Sequence, residues 1–359
     1  MDSRMRTISS RVNEGGRIDD DDALYLYNKG DIYSLGEIAS VANEKKNGKK
    51  AYFIVNRHIN PTNICVNRCK FCAFSKDEDD SLAYEMTLEE VVSKSEEGAR
   101  QGATEVHLVG GLHPSWPFEK YLEMLAAIRI IAPHIHIQAF TAVEIDYFTR
   151  LSELPLEEVL TRLKDAGLGS LPGGGAEIFS EEVREKICPE KISGERWLEV
   201  MRVAHSMGIR SNATMLYGHI EGYEHRVAHL ALLRDLQDET GGFQSFIPLA
   251  FHPKNTEIAK GVTSALDDLK TLAISRIYLD NFDHIKAFWI MLGEKIAQLS
   301  LLFGVDDIDG TVVEEKITHA AGAHTSEELS VLELVSLVKQ VGKVPVQRDT
   351  LYNTIRVWH

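Results

Sequence analysis

No run of eighteen apolar residues occurs in this 359-residue chain, so nothing in it reads as a membrane-spanning helix. The opening Met-Asp-Ser-Arg-Met-Arg-Thr has neither the apolar core nor the cleavage site of a secretory leader. Basic residues are in deficit: 39 lysines and arginines stand against 54 aspartates and glutamates, a formal charge of −15. That sign argues against nucleic acid as the main partner, because a phosphate backbone calls for a basic surface. The acidic Asp19–Asp22 run and the basic Lys45–Lys50 run read as solvated surface. No low-complexity segment and no long Pro/Gly/Ser linker divides the chain. With 44% hydrophobic residues it is an ordinary soluble composition, enough for one large domain. Cysteine is scarce, four in all, which excludes a disulfide scaffold and points to reduced thiols in a cytoplasmic protein.

Three of those four cysteines fall within eight residues, as Cys65-Val-Asn-Arg-Cys69-Lys-Phe-Cys72. Soft thiolates select zinc, Cu(I) or iron–sulfur clusters. Structural zinc wants four ligands, and no second C-x2-C knuckle exists; Cys188 or a histidine such as His58 would have to complete the set. A four-iron cluster held by three cysteines keeps one iron open, and the spacing favours that reading over zinc. Cys188 stands alone in Lys186-Ile-Cys-Pro-Glu190 and reads as a small buried hydrophobe. The C-x3-C-x2-C spacing, with aromatic Phe71 before the last cysteine, resembles the signature of the radical S-adenosylmethionine superfamily. The resemblance implies a [4Fe-4S] cluster whose open iron chelates the amino and carboxylate groups of S-adenosylmethionine. One electron then releases a 5′-deoxyadenosyl radical.

Residues 1–50 read as a polar, helix-leaning lead segment, followed over 51–359 by a barrel with a C-terminal helical extension. After residue 50, apolar runs alternate with amphipathic stretches. Strands are expected at 51–56, 105–109, 135–140, 167–171, 210–216, 245–251, 284–291 and 305–308. Helices are expected at 87–101, 119–132, 156–166, 195–207, 224–239, 266–280, 293–303 and 326–341. Eight β-then-α units predict an α/β fold, a (β/α)8 TIM-type barrel. Active sites in such barrels lie at the C-terminal ends of the strands. Arg210 and His284 open strands and should be structural. His58, Gly110, Glu144, Glu177, Thr214, His252 and the 309–316 loop should face the site.

Gly110 and Gly111 end the second strand, where paired glycines let backbone approach a ligand, although they also make plain turns. In radical S-adenosylmethionine barrels a Gly-Gly-Glu-like motif stands here; Leu112 replaces its glutamate, so only the backbone role carries over. The same resemblance suggests that Glu177, after the triple glycine Gly173–Gly175, and Arg196 bracket the amino acid end of S-adenosylmethionine. A surface ion pair is the plain alternative. Glu144, read as ending the third strand, is a further polar candidate for the cofactor.

Other strings narrow the branch: Asn60-Pro-Thr-Asn63, Thr214-Met-Leu-Tyr-Gly-His219 and Gln237-Asp-Glu-Thr-Gly-Gly-Phe243. They resemble the futalosine-pathway enzymes of menaquinone synthesis and the two synthases of the deazaflavin chromophore. Within that branch Leu108-Val-Gly-Gly-Leu-His-Pro114, His284-Ile-Lys-Ala-Phe-Trp289 and Asp309-Gly-Thr-Val-Val-Glu-Glu-Lys316 resemble the aminofutalosine synthases. The implied reaction adds the 5′-deoxyadenosyl radical to the vinyl ether of 3-[(1-carboxyvinyl)oxy]benzoate. Rearrangement and decarboxylation then give 6-amino-6-deoxyfutalosine. The implied partners are this aromatic dicarboxylate and an electron donor such as flavodoxin or ferredoxin. Cyclic dehypoxanthinyl futalosine synthase is the alternative, and a cluster-based sensor or zinc-stabilised binding protein is the non-enzymatic one. For the substrate carboxylates His252 is the first choice, with His58, Asn60, His219 and His319 behind it. Tyr217 and Gly218 could line the pocket, and Glu314 or Glu315 could orient a histidine. His252, Glu315 and His319 are the expected catalytic residues, and Trp289 reads as barrel packing.

Overall fold

The computed structural model describes residues 1–259, 261–323, 325–326 and 328–359. Its strands are β1 (Lys50–Ile54), β2 (Asn56–Ile59), β3 (Glu105–Leu108), β4 (His136–Ala139), β5 (Ser170–Leu171), β6 (Arg210–Tyr217), β7 (Phe243–Ala250), β8 (His284–Ile285), β9 (Asp307–Gly310), β10 (Val344–Arg348) and β11 (Thr354–Val357). From β2 to β8 they pair in chain order, all parallel. β1 and β2 are one strand interrupted at Val55. β9 pairs with β1, a Lys286–Asp307 bridge ties it to the end of β8, and an Arg57–Val313 bridge continues the seam beside β2. The result is the expected TIM-type α/β barrel.

Alternation along the strands builds both the core and the cavity. On β6, Asn212, Thr214 and Leu216 line the barrel interior, while Ala213, Met215 and Tyr217 lie on the opposite, helix-covered face. Three helices start at a capping box: Thr87 with Glu90, Thr141 with Glu144 and Ser330 with Glu333. The first 50 residues form three helices, Ser3–Asn13, Asp20–Lys29 and Ile32–Asn47, that pack on the outside of the barrel. Met5, Ile8 and Val12 are buried there, and Arg17 pairs with Asp238 (2.5 Å) and Asp280 (2.8 Å) of the barrel.

Several expectations are corrected. The seventh strand stops at Ile285, and Trp289–Leu292 is helical; an apolar run of that length suits a buried strand or a buried helix equally. Trp289 still packs, donating its indole N–H to the Gly310 carbonyl (2.8 Å). The helices Ala142–Ser152 and Glu181–Ile187 were not anticipated. The C-terminal extension is not only helical: beyond the helix Val331–Gln340, β10 joins β1 in parallel and β11 joins β10 antiparallel. Pro345 disguises β10, since proline weakens any strand reading. This tail closes the lower end of the barrel, where Arg348 meets Asp307 (2.6 Å) and Tyr352 stacks on His284 (3.6 Å). His284 also bonds Asp306 (2.5 Å), so it is structural, as its place at a strand start implied.

Candidate active site

The segment after β2 carries the three cysteines in a loop held by its backbone. Cys65 N–H donates to Lys76 (3.2 Å), Val66 to Leu112 (3.0 Å), Lys70 to Ile187 (2.8 Å) and Cys72 to Cys69 (2.9 Å). Cys65, Cys69 and Cys72 all line one cavity of about 330 Å³ in the barrel mouth. Among the described residues no three His, Cys, Asp or Glu side chains converge as a single ion requires. Three soft donors on one cavity, without a fourth, fit a cluster with an open position better than tetrahedral zinc. Burial pushes the Cys69 thiol up to about 12 and raises Cys65 as well, so ligation there releases protons. Cys188 is buried and does not line the cavity.

Gly110 and Gly111 line the same end. Their smallness serves the cysteine loop first: a Cβ on Gly111 would lie 2.0 Å from the Ile64 carbonyl oxygen, and one on Gly110 3.0 Å from that of Thr62. Glu144 is the third residue of its helix rather than the end of a strand. Its carboxylate accepts from the N–H groups of Gly110 (3.2 Å) and Thr141 (2.7 Å). Burial raises its pKa to about 7.

Glu177, in the left-handed region at φ 48°, lines the cavity and pairs with Lys191 at 2.6 Å. Burial works against the Lys191 charge, but Glu177, Cys69 and Cys188 outweigh it and raise the ammonium's pKa. Lys191 also sits 5.1 Å over the ring of Phe71, itself a cavity residue. Arg196 does not take the place expected of it. It reaches away from the cavity to Asp146 (2.7 Å) and Glu199 (2.8 Å). The cation beside Glu177 is therefore Lys191, whose contact depends on the loop between two helices and leaves no mark in residue spacing.

The deeper part of the cavity is polar, and most of it was missed by sequence reasoning. His58 and His107 stack in parallel at 4.4 Å, with Glu105, Gln138, Asn212, Lys286 and Asp309 around them. Lys286 Nζ lies 3.3 Å from Asp309. Burial, then His107 and Lys286, lowers the His58 pKa; burial also lowers His107 and raises Asp309. The available signal was period two: Glu105 and His107, like Lys286 in an apolar run, are polar residues pointing inward from buried strands.

His252 lines the cavity and donates Nε2–H to the Met291 carbonyl (2.8 Å), at the border with a second hollow that shares both residues. Glu315 lines it too, bonded to Thr318 N (2.8 Å) and to His319 (3.0 Å); His319 stands behind it, outside the cavity. The Glu315 hydrogen bond raises His319 to about 9. Thr214 lines the wall. Asn60, Tyr217, Gly218, His219 and Glu314 do not: Asn60 bonds Val109, Tyr217 bonds Asp268, buried His219 bonds Leu216, and Glu314 pairs with Arg57 and Lys94.

Residues 59–233 match the family described as Radical SAM superfamily, and residues 240–358 the CofH/MqnC C-terminal region. The chain belongs to the radical S-adenosylmethionine superfamily. It is 47% identical to an aminodeoxyfutalosine synthase of Thermus thermophilus, over 99% of this chain and 97% of that one. It is 43% identical to a 5-amino-6-(D-ribitylamino)uracil–L-tyrosine 4-hydroxyphenyl transferase of Methanopyrus kandleri, over 98% and 95% respectively. The crystal structure of methylornithine synthase superposes with a TM-score of 0.75 at 16% identity, covering 94% of this chain and 97% of that chain, and shares the fold. Among the described residues no helix is long and apolar enough to cross a membrane.

Proposed function

We propose that this chain is an aminodeoxyfutalosine synthase. It joins the 5′-deoxyadenosyl group of S-adenosylmethionine to the vinyl ether carbon of 3-[(1-carboxyvinyl)oxy]benzoate, with rearrangement and loss of a carboxylate, to give 6-amino-6-deoxyfutalosine. The observation that carries this reading is one cavity with three thiols and a carboxylate–ammonium pair at one end and a polar chamber with its own lysine at the other. The first end suits an amino acid cofactor, the second a carboxylate substrate. Near-full-length similarity to the Thermus thermophilus enzyme supports the choice of reaction.

Cys65, Cys69 and Cys72 would hold a [4Fe-4S] cluster. Bound there with S-adenosylmethionine, it would supply the 5′-deoxyadenosyl radical by one-electron cleavage of the sulfonium. The chain's own residues position and shield. Lys191 offers its ammonium to the methionine carboxylate, and Glu144 and the Gly110–Gly111 backbone receive the methionine amino group. Val109, Leu216, Ile247, Leu249 and Phe251 exclude water along the walls, which keeps a reactive carbon from being quenched. Glu315, steadied by His319, and His252 are further polar groups on the cavity wall. The protein works in the cytoplasm with a one-electron carrier such as flavodoxin or ferredoxin.

The 43% identity to a tyrosine 4-hydroxyphenyl transferase favours a second reading, in which tyrosine is the aryl source. Parallel anoxic incubations decide between them. Consumption of 3-[(1-carboxyvinyl)oxy]benzoate alone supports the synthase. Consumption of tyrosine with 5-amino-6-(D-ribitylamino)uracil, or cyclisation of dehypoxanthine futalosine, replaces it.

A further inference from the structure

Among the described residues lining the cavity, Lys191 and Lys286 are the lysines, and no arginine joins them. Lys191 is matched to Glu177 beside the cysteines. Lys286 lies at the other end, only 6% exposed, and its one carboxylate contact, Asp309 at 3.3 Å, is long for a charge-assisted bond. Beside it the His58 ring, 7% exposed, stacks on His107 and lines the same cavity. An ammonium held by one long contact and an imidazole beside it, both facing the cavity, are placed to meet an anionic group that enters there.

The substrate's polarity says what that is. Its vinyl ether must face the cofactor end, so the ring carboxylate points toward the far end. We propose that Lys286, with His58 beside it, anchors the ring carboxylate of the aromatic acid, and that Asp309 holds the ammonium in place until that carboxylate binds. The inference rests on the reading of the substrate as an aromatic dicarboxylate. Burial raises the Asp309 pKa, which eases its uptake of a proton when a second carboxylate enters beside it. Asp309 sits at φ 65°, a conformation asparagine tolerates, so Asp309→Asn keeps the backbone.

Binding is measured by calorimetry on anoxic holoprotein with S-adenosylmethionine present and reductant omitted. The ligands are 3-[(1-carboxyvinyl)oxy]benzoate and the analogue whose ring carboxylate is a carboxamide. Lys286→Met should weaken the acid about tenfold or more and the amide less than about twofold. Asp309→Asn should tighten the acid, and this result decides the matter should Lys286→Met fail to fold. Equal losses for acid and amide, or an Asp309→Asn protein that binds the acid no better than wild type, would overturn the anchor. Wild type binding the acid while Lys286→Met binds it equally well removes the anchor alone. Wild type binding neither ligand removes the anchor and the aromatic-dicarboxylate reading together.

Discussion

At the scale of single residues, the cavity separates groups that sequence spacing had placed together. Lys191→Met should raise the KM for S-adenosylmethionine about tenfold, whereas Arg196→Ala should leave it near wild type, because Arg196 spends its donors on Asp146 and Glu199. Steady-state kinetics at saturating second substrate reads both. Cys65→Ala, Cys69→Ala and Cys72→Ala should each lose iron, acid-labile sulfide and activity; Cys188→Ala should retain all three. His319 gives a pH signature. Its folded pKa, about 9, lies above the ordinary 6.5, through the Glu315 hydrogen bond. Its contribution to stability is therefore complete below about 6.5 and fades as pH climbs through 9. The melting temperature of His319→Gln should fall short of wild type most in acid solution and converge with it above pH 9. The cysteines were legible because their chemistry is local. Lys191 and Lys286 were not, because each owes its role to a partner distant from its own motif.

At the scale of elements, most of the β–α alternation could be read directly, and the failures share a cause. Strands of two residues, β5 and β8, leave too little apolar text to set a boundary, and Ala287–Leu292 carries no period that separates strand from helix. The helix Ala142–Ser152 announced itself through Thr141 and Glu144, a capping box read instead as a strand end with a lone acid. The glycine pair was legible as a close approach, but what approaches is the cysteine loop. Gly111→Ala should therefore cost about 1–3 kcal/mol by urea denaturation and also lower cluster content, because Ile64 immediately precedes Cys65 and must move. A change in one quantity without the other would separate the glycine from the cysteine loop.

At the scale of the whole molecule, the barrel is sealed below by its own C-terminus and open above to the cavity. Arg348 and Asp307 are both buried in that seal. Arg348→Met should destabilise by about 3–5 kcal/mol, since it strands a buried carboxylate, and the double change Arg348→Met with Asp307→Asn should recover much of the loss. The seal was invisible to sequence reasoning because β10 finds its partner β1 some three hundred residues earlier, a pairing no local pattern encodes. The functional proposal is tested most directly by feeding anoxically reconstituted protein S-adenosylmethionine labelled with carbon-13 in its adenosyl group, a reductant and 3-[(1-carboxyvinyl)oxy]benzoate, and following the label by mass spectrometry. Label recovered in 6-amino-6-deoxyfutalosine, with little free 5′-deoxyadenosine, is the expected result. Label that accumulates as 5′-deoxyadenosine, with the benzoate untouched, would contradict it.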